Sequence, residues 1–292
     1  MKVGFIGVGN MGGPMCRNII RNTNHDVMVF DLNPDAIKAC TDLGASAGAS
    51  VADIASRCDV VITSLPMPHH VEAVATDIAA HAKPGTTYID LSTNSVSCAK
   101  RVHAALAAKG IPMLEAPVSG GVPRATDGTI VIMVGGDETV FDAQRPLVAS
   151  FSKEIVHVGD VGFGSVAKLV NNMLAFCNMA AAAEALMLGK MAGIDMAKLH
   201  QVITNASGFS SAYNSIATKA FAGDFQPTFA LNLAHKDLRL AVELADETGM
   251  AGMIAPQVMN IMRMARAAGL GGADISAMIQ VYEKAMGQDV RV

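Results

Sequence analysis

The chain has 292 residues, of which 51% are hydrophobic and only 16% charged, with a formal net charge of −4. So much apolar surface excludes a disordered chain, because burying it offsets the entropy of ordering the backbone. The weakly acidic balance excludes the basic stripe that nucleic-acid binding needs, and the length suits one large domain or two ordinary ones.

Lys2-Val3-Gly4-Phe5-Ile6-Gly7 reads as a strand at the very start, so no secretory leader is expected. Gly7-Val8-Gly9-Asn10-Met11-Gly12 follows it directly and opens a helix. The first Gly permits the tight turn, the second lets backbone approach a pyrophosphate, and the third lets helix and strand pack closely. The helix amino end adds N–H groups and a partial positive charge for the phosphates. A second strand, Asp26 to Asp31, ends in a carboxylate about 20 residues past the loop, where a ribose diol would be bound. That carboxylate repels a 2′-phosphate and no Arg follows closely to offset it, so the predicted cofactor is NAD rather than NADP. Asn33-Pro34 starts the next helix, with Asn as cap and Pro at the first helical position.

Further β-branched runs lie at Val60 to Leu65, Thr86 to Leu91, Thr129 to Gly135 and Glu154 to Val158, with helical stretches between most of them. This alternation predicts an α/β Rossmann-type domain with a parallel sheet covered on both faces. After Gly164 the strand pattern stops. Val166 to Ala192 is one long helical pattern, followed by Met196 to Asn205, Ser210 to Ala222, Leu231 to Thr248, Pro256 to Ala268 and Ile275 to Met286. The expected organisation is therefore an NAD-binding domain over 1–162, then a long connecting helix and an all-α substrate and oligomerisation domain over 163–292. The apolar run Met173 to Gly189 approaches membrane-spanning length, but Glu184 interrupts it. A carboxylate in hydrocarbon is costly, so a buried helix without membrane contact is expected. Its all-round apolar character points to a homodimer or homotetramer through the helical domain.

Five dispersed cysteines with no Cys-x-x-Cys pair suit reduced thiols and a cytoplasmic location. The eight histidines show no ligand spacing for a metal. Two segments carry candidate chemistry. Glu115-Ala116-Pro117-Val118-Ser119-Gly120-Gly121 ends a strand, with Ala125 and Gly128 following. Gly162 to Asn172 opens the long helix and contains Lys168; Phe229, Lys236 and Asp237 follow later. Hydride transfer to a carbonyl leaves an alkoxide that needs a proton, and the reverse reaction needs a base. There is no zinc ligand set, and none of Tyr88, Tyr213 and Tyr282 has a Lys four residues on. A desolvated lysine remains, because burial and nearby positive charge bring an ammonium pKa toward operating pH. Lys168 sits on an otherwise apolar helix, with Asn172 one turn along on the same face. The Ser119-Gly120-Gly121 turn suits carboxylate capture by backbone N–H groups and a hydroxyl.

With these motifs in order, the whole chain resembles the β-hydroxyacid dehydrogenase family, the group of 3-hydroxyisobutyrate dehydrogenases. The matching segments are Gly7 to Gly12, Ala116 to Gly121 with Gly128, Gly162 to Asn172, and Lys236-Asp237. The resemblance implies NAD-dependent interconversion of a small 3-hydroxy acid and its semialdehyde, with Lys168 as acid–base. It further implies that Ser119, Gly120, Gly121 and Asn172 hold substrate, with Phe229 and Asp237 lining the same cleft. Lys236, Leu65, Pro66 and Thr93 would join Gly7, Gly9, Asn10, Met11, Gly12 and Asp31 around the cofactor. The substrate segment departs from the 3-hydroxyisobutyrate branch, which usually carries a Trp after the turn that here is Ser207-Gly208; this chain has Phe209 and no Trp. Pro123-Arg124 looks more like tartronate semialdehyde reductases, and the tail also resembles 2-(hydroxymethyl)glutarate dehydrogenases. Reduction of tartronate, glyoxylate or succinate semialdehyde and oxidation of 2-(hydroxymethyl)glutarate are thus alternatives, and Arg124 is a candidate partner for the second carboxylate of a diacid. A nucleotide-binding sensor would keep the glycine loop but has no need of Lys168, Asn172 and the Ser-Gly-Gly turn together.

Overall fold

The computed structural model describes residues 1–292 and packs as two compact units, Met1–Lys168 and Leu169–Val292. The first contains strands β1 (Lys2–Ile6), β2 (Asp26–Phe30), β3 (Ser46–Ala47), β4 (Val60–Thr63), β5 (Thr87–Asp90), β6 (Met113–Glu115), β7 (Val118–Ser119), β8 (Ile130–Gly135) and β9 (Ser152–Gly159). Between them run helices α1 (Gly12–Asn22), α2 (Pro34–Thr41), α3 (Val51–Arg57), α4 (Pro68–His81), α5 (Val96–Ala107), α6 (Gly121–Thr126) and α7 (Glu138–Ala149). The sheet order is β3-β2-β1-β4-β5-β6-β8-β7, with β9 on β8.

Every residue of β4 and β5 is buried, as a sheet covered on both faces requires. Side chains alternate between two cores, because successive residues of a strand point to opposite faces. Phe5, Ile62, Ile89 and Leu114 enter one cluster; their chain neighbours Ile6, Val61, Tyr88 and Met113 enter the other.

The sheet is mixed rather than parallel throughout. The six strands from β3 to β6 are parallel, but β8 runs antiparallel to β6 and β7, and β9 parallel to β8. A parallel return needs a crossover of about a dozen residues or more; α6, with six residues, is too short to carry one. The fourth strand also ends earlier than its β-branched run suggests. Leu65 N–H donates to Ser92 Oγ at 2.9 Å, so the chain has already left the ladder there.

Helix α8 (Phe163–Met191) begins in the first unit and continues into the second, which adds α9 (Met196–Thr204), α10 (Ser211–Ala222), α11 (Leu231–Thr248), α12 (Ala255–Ala267) and α13 (Ile279–Met286). By length and hydropathy α8 could cross a membrane, but Ala183 and Leu186 are fully buried in the core of the helical unit, with Ile216, Leu238 and Met262. The segment expected to be helical from Ile275 is a 3-10 turn as far as Met278. Asp274 explains the tighter start. Its Oδ1 accepts from Ser276 N and Ser276 Oγ at 3.1 and 2.8 Å, winding the first residues around one carboxylate.

Candidate active site

The glycine loop is built as its sequence suggests. Gly7 has φ +87°, and a Cβ there would lie 2.4 Å from Ser64 O. A Cβ on Gly12 would lie 1.9 Å from Gly7 O, so helix α1 can reach the strand only through glycine. At Gly9 a Cβ would meet nothing within 4 Å, and Gly9 and Asn10 are exposed. The open side of the loop is thus bare backbone. No side chain caps α1 at Met11, and its first turn holds no acid, so its positive end is not neutralised. Asp31 turns back on this loop: its Oδ2 accepts from Val8 N at 2.8 Å and its Oδ1 from Asn33 N at 2.9 Å. A carboxylate has about four acceptor positions, which leaves capacity for a ribose diol. An open glycine backbone, an unopposed helix amino end and a pinned acid fit a dinucleotide.

Leu65 and Thr93 follow the adjacent strands β4 and β5, at the same sheet edge as Gly7. The Leu65 side chain lies 3.1 Å from where a Gly7 Cβ would stand, while Pro66 is exposed. Beneath this edge lies a polar network that no local sequence pattern marks. Asp90, 1% exposed, accepts from Thr63 Oγ1 (2.8 Å), Ser92 N (3.1 Å) and Asn94 Nδ2 (2.6 Å). Burial raises its pKa, and Glu115 raises it further against these hydrogen bonds.

In sequence, Glu115 is only the end of a strand. In the fold its buried carboxylate accepts from Gly162 N, Gly164 N and Ser165 Oγ at 2.5, 2.8 and 2.6 Å, which fastens the start of α8. Lys168 is on the first turns of that helix and is 8% exposed. In the same unit, Ser119 pairs with Val131 at the end of β7. Gly120 and Gly121 then turn with φ +138° and +68°. A Cβ on Gly120 would meet the Arg124 stem at 2.8 Å, so Arg124 covers this turn.

The helical unit brings three of the expected residues together. Asn172 Nδ2 donates to Asp237 Oδ2 at 2.8 Å, and Lys236 Nζ lies 2.9 Å from Asp237 Oδ1, an ion pair without hydrogen-bond alignment. All three are at most 7% exposed. Phe229 has its ring stacked on Phe176 at 6.0 Å and its N–H donating to Asp274 Oδ2 at 3.3 Å. Asp274 is the second hub that the sequence does not reveal. Besides Phe229 and Ser276 it accepts from Thr228 N and Thr228 Oγ1, each at 2.8 Å. The only local signal for either hub is a lone acid at the edge of an element.

Comparison with known proteins agrees with this geometry. Residues 2–159 match the NAD binding domain of 6-phosphogluconate dehydrogenase, and residues 162–282 the NAD-binding family of NADP-dependent 3-hydroxyisobutyrate dehydrogenase. The 2-(hydroxymethyl)glutarate dehydrogenase of Eubacterium barkeri is 39% identical, the alignment covering 99% of this chain and 97% of the relative. The NAD-dependent L-serine dehydrogenase of Pseudomonas aeruginosa is 35% identical over 98% and 99%. The solved Mycobacterium tuberculosis 3-hydroxyisobutyrate dehydrogenase with L-serine superposes with a TM-score of 0.89 at 36% identity, covering 96% of this chain and 98% of that one. Fold, glycine loop and full-length similarity agree: the chain belongs to the β-hydroxyacid dehydrogenase family of NAD-dependent oxidoreductases.

Proposed function

We propose that the protein oxidises a small 3-hydroxy acid of the form HO–CH2–CH(R)–COO⁻ to its semialdehyde, and catalyses the reverse, with Lys168 as acid–base. Three compounds in the relatives' names, 2-(hydroxymethyl)glutarate, L-serine and 3-hydroxyisobutyrate, share that skeleton and differ only in R. The observation that carries the catalytic assignment is a buried lysine on α8 with Asn172 one helical turn along.

NAD, when bound, supplies the hydride acceptor. Gly7, Gly9, Asn10, Met11 and Gly12 offer it backbone, Asp31 its ribose contact, and Leu65, Pro66, Thr93 and Lys236 further contacts. Lys168 Nζ takes the hydroxyl proton during oxidation and returns it during reduction. Backbone N–H groups of the Ser119–Gly121 turn and the Ser119 hydroxyl hold the substrate carboxylate. Asn172, held by Asp237, orients the reacting oxygen, and Phe229 bounds the apolar side. A second reading, a substrate whose R carries a second carboxylate as in 2-(hydroxymethyl)glutarate, draws on Arg124 lying over the same turn. We further infer a homo-oligomer through the helical unit, because Leu174 (60% exposed), Leu188 (71%) and Met253 (81%) remain uncovered there. The free thiols suit a reducing, cytoplasmic setting.

Lys168→Ala tests the mechanism. Its affinity for NADH should stay near that of the parent while kcat falls about 10²–10⁴-fold. Turnover at the parent rate would overturn the assignment. A substrate panel varying R from methyl to ammonium to a second carboxylate identifies the acid.

A further inference from the structure

Seven helices have a side-chain anchor at their amino end, and one differs in kind. Asn33, Ser50, Ser95, Asp137, Asp195 and Ser210 each cap the helix that immediately follows them. Such a cap ties a helix to its own loop. Helix α8 is instead held by Glu115, 47 residues away in sequence from Gly162 and carried on strand β6. A strand-borne cap ties the helix to the sheet.

The arrangement is built around that carboxylate. Glu115 is 2% exposed, and burying a charge is costly unless hydrogen bonds replace its water. Three donors do so, and all belong to the start of α8. Gly162 and Gly164 contribute backbone N–H groups, of the kind that a helix start leaves without an intrahelical acceptor. The space is reserved by glycine on both sides. A Cβ on Gly135 would lie 2.6 Å from Glu115 Oε1, and one on Gly164 3.1 Å from Glu115 Cγ. Across the ladder, Glu115 is in register with Asp90, whose own bonds fix the neighbouring strand. The chain therefore places a buried acid, held by three hydrogen bonds, under the first turn of α8. Lys168 follows Gly164 by one turn of that helix.

We infer that Glu115, acting through Ser165 and the first turn of α8, is a positioning residue that sets where the Lys168 ammonium stands for proton transfer. This inference rests on Lys168 being the acid–base. Displacement of a catalytic group by about 1 Å can cost on the order of 100-fold in rate, so a helix start fixed to the sheet has a direct kinetic consequence.

The test uses the full-length enzyme with NAD and 3-hydroxyisobutyrate or L-serine, whichever turns over faster. The variants are Glu115→Ala, Glu115→Gln, Ser165→Ala, Lys168→Ala and the double Glu115→Ala/Lys168→Ala. For each, kcat per folded enzyme, KM and NADH affinity are measured. Glu115→Ala should lower kcat by about 10- to 100-fold with NADH affinity little changed. Glu115→Gln should recover most of that loss, because its amide oxygen can accept from the glycines while Ser165 turns to accept from its NH2. Ser165→Ala should lose a smaller part. In the double variant the Glu115 change should add nothing, because its effect passes through Lys168. A parent-like kcat in Glu115→Ala beside an inactive Lys168→Ala overturns the positioning role alone. Should Glu115→Ala not fold, a parent-like kcat in both Glu115→Gln and Ser165→Ala overturns it. Losses that multiply in the double variant also overturn it. Parent-like turnover in Lys168→Ala overturns both the acid–base reading and this inference.

Discussion

Removing the amide of Asn172 or the carboxylate of Asp237 breaks the same 2.8 Å hydrogen bond between side chains 6% and 3% exposed. A hydrogen bond to a charged group at such a site contributes about 1.5–3 kcal/mol. If its purpose is to hold Asn172 for substrate, that energy appears in kcat/KM, as a loss of about 10- to 150-fold at about 1.36 kcal/mol per decade. The perturbation is a double-mutant cycle of Asn172→Ala, Asp237→Ala and both together, assayed as hydroxy-acid oxidation at saturating NAD. Each single variant should lose about the same, and the pair little more than the worse single, giving a coupling of about 1.5–3 kcal/mol. Asp237→Ala also strips Lys236, 7% exposed, of its carboxylate partner 2.9 Å away. It should therefore lose about 3–5 kcal/mol of stability as well, measured by urea unfolding and corrected for before the cycle is closed. Losses that simply multiply, with coupling below about 0.5 kcal/mol, would refute the idea that Asp237 serves Asn172.

The glycine loop separates folding from cofactor binding. Gly9→Ala places its Cβ in open space and should melt like the parent while binding NADH more weakly, by about tenfold or more for a lost close phosphate approach. Gly12→Ala puts a Cβ 1.9 Å from Gly7 O and should lose about 1–3 kcal/mol of stability besides. Parent-like NADH affinity in Gly9→Ala would contradict this reading of the loop. Asp274 should make the helical unit acid-sensitive. Burial pushes its pKa up, but the Thr228 and Ser276 hydroxyls and N–H groups outweigh that and leave it below the ordinary Asp value. A group depressed in the folded state contributes stability above its unfolded pKa and loses it as pH falls through the folded one. Asp274→Asn should therefore be less stable than the parent at neutral pH, with the gap closing in acid below the ordinary Asp range. A pH-independent gap in urea midpoint would show that the charge does not matter.

Much of the site is legible in the amino-acid sequence. The turn at Gly7, the approach at Gly12 and the acid at Asp31 are encoded within one βαβ unit, where spacing alone fixes geometry. Helix starts such as Asn33-Pro34 are likewise decided by a side chain and the backbone two or three residues on. Lys168 and Asn172 share a face simply because a helix repeats every 3.6 residues.

What tertiary structure alone decided is everything that joins residues far apart in the chain. Glu115 reaches the start of α8 across 47 residues, Asp237 meets Asn172 across 65, and Asp274 gathers Thr228 across 46. No local propensity marks these three contacts, since each joins a carboxylate to backbone, hydroxyl or amide groups that packing brings in from far along the chain. The antiparallel entry of β8 is hidden for the same reason: strand pattern reports burial on two faces but not direction. Sequence determined which groups are chemically able to work at Gly9, Asp31 and Lys168. Packing decided what holds them still, because a hydrogen bond between distant residues exists only once the elements that carry them have found one another.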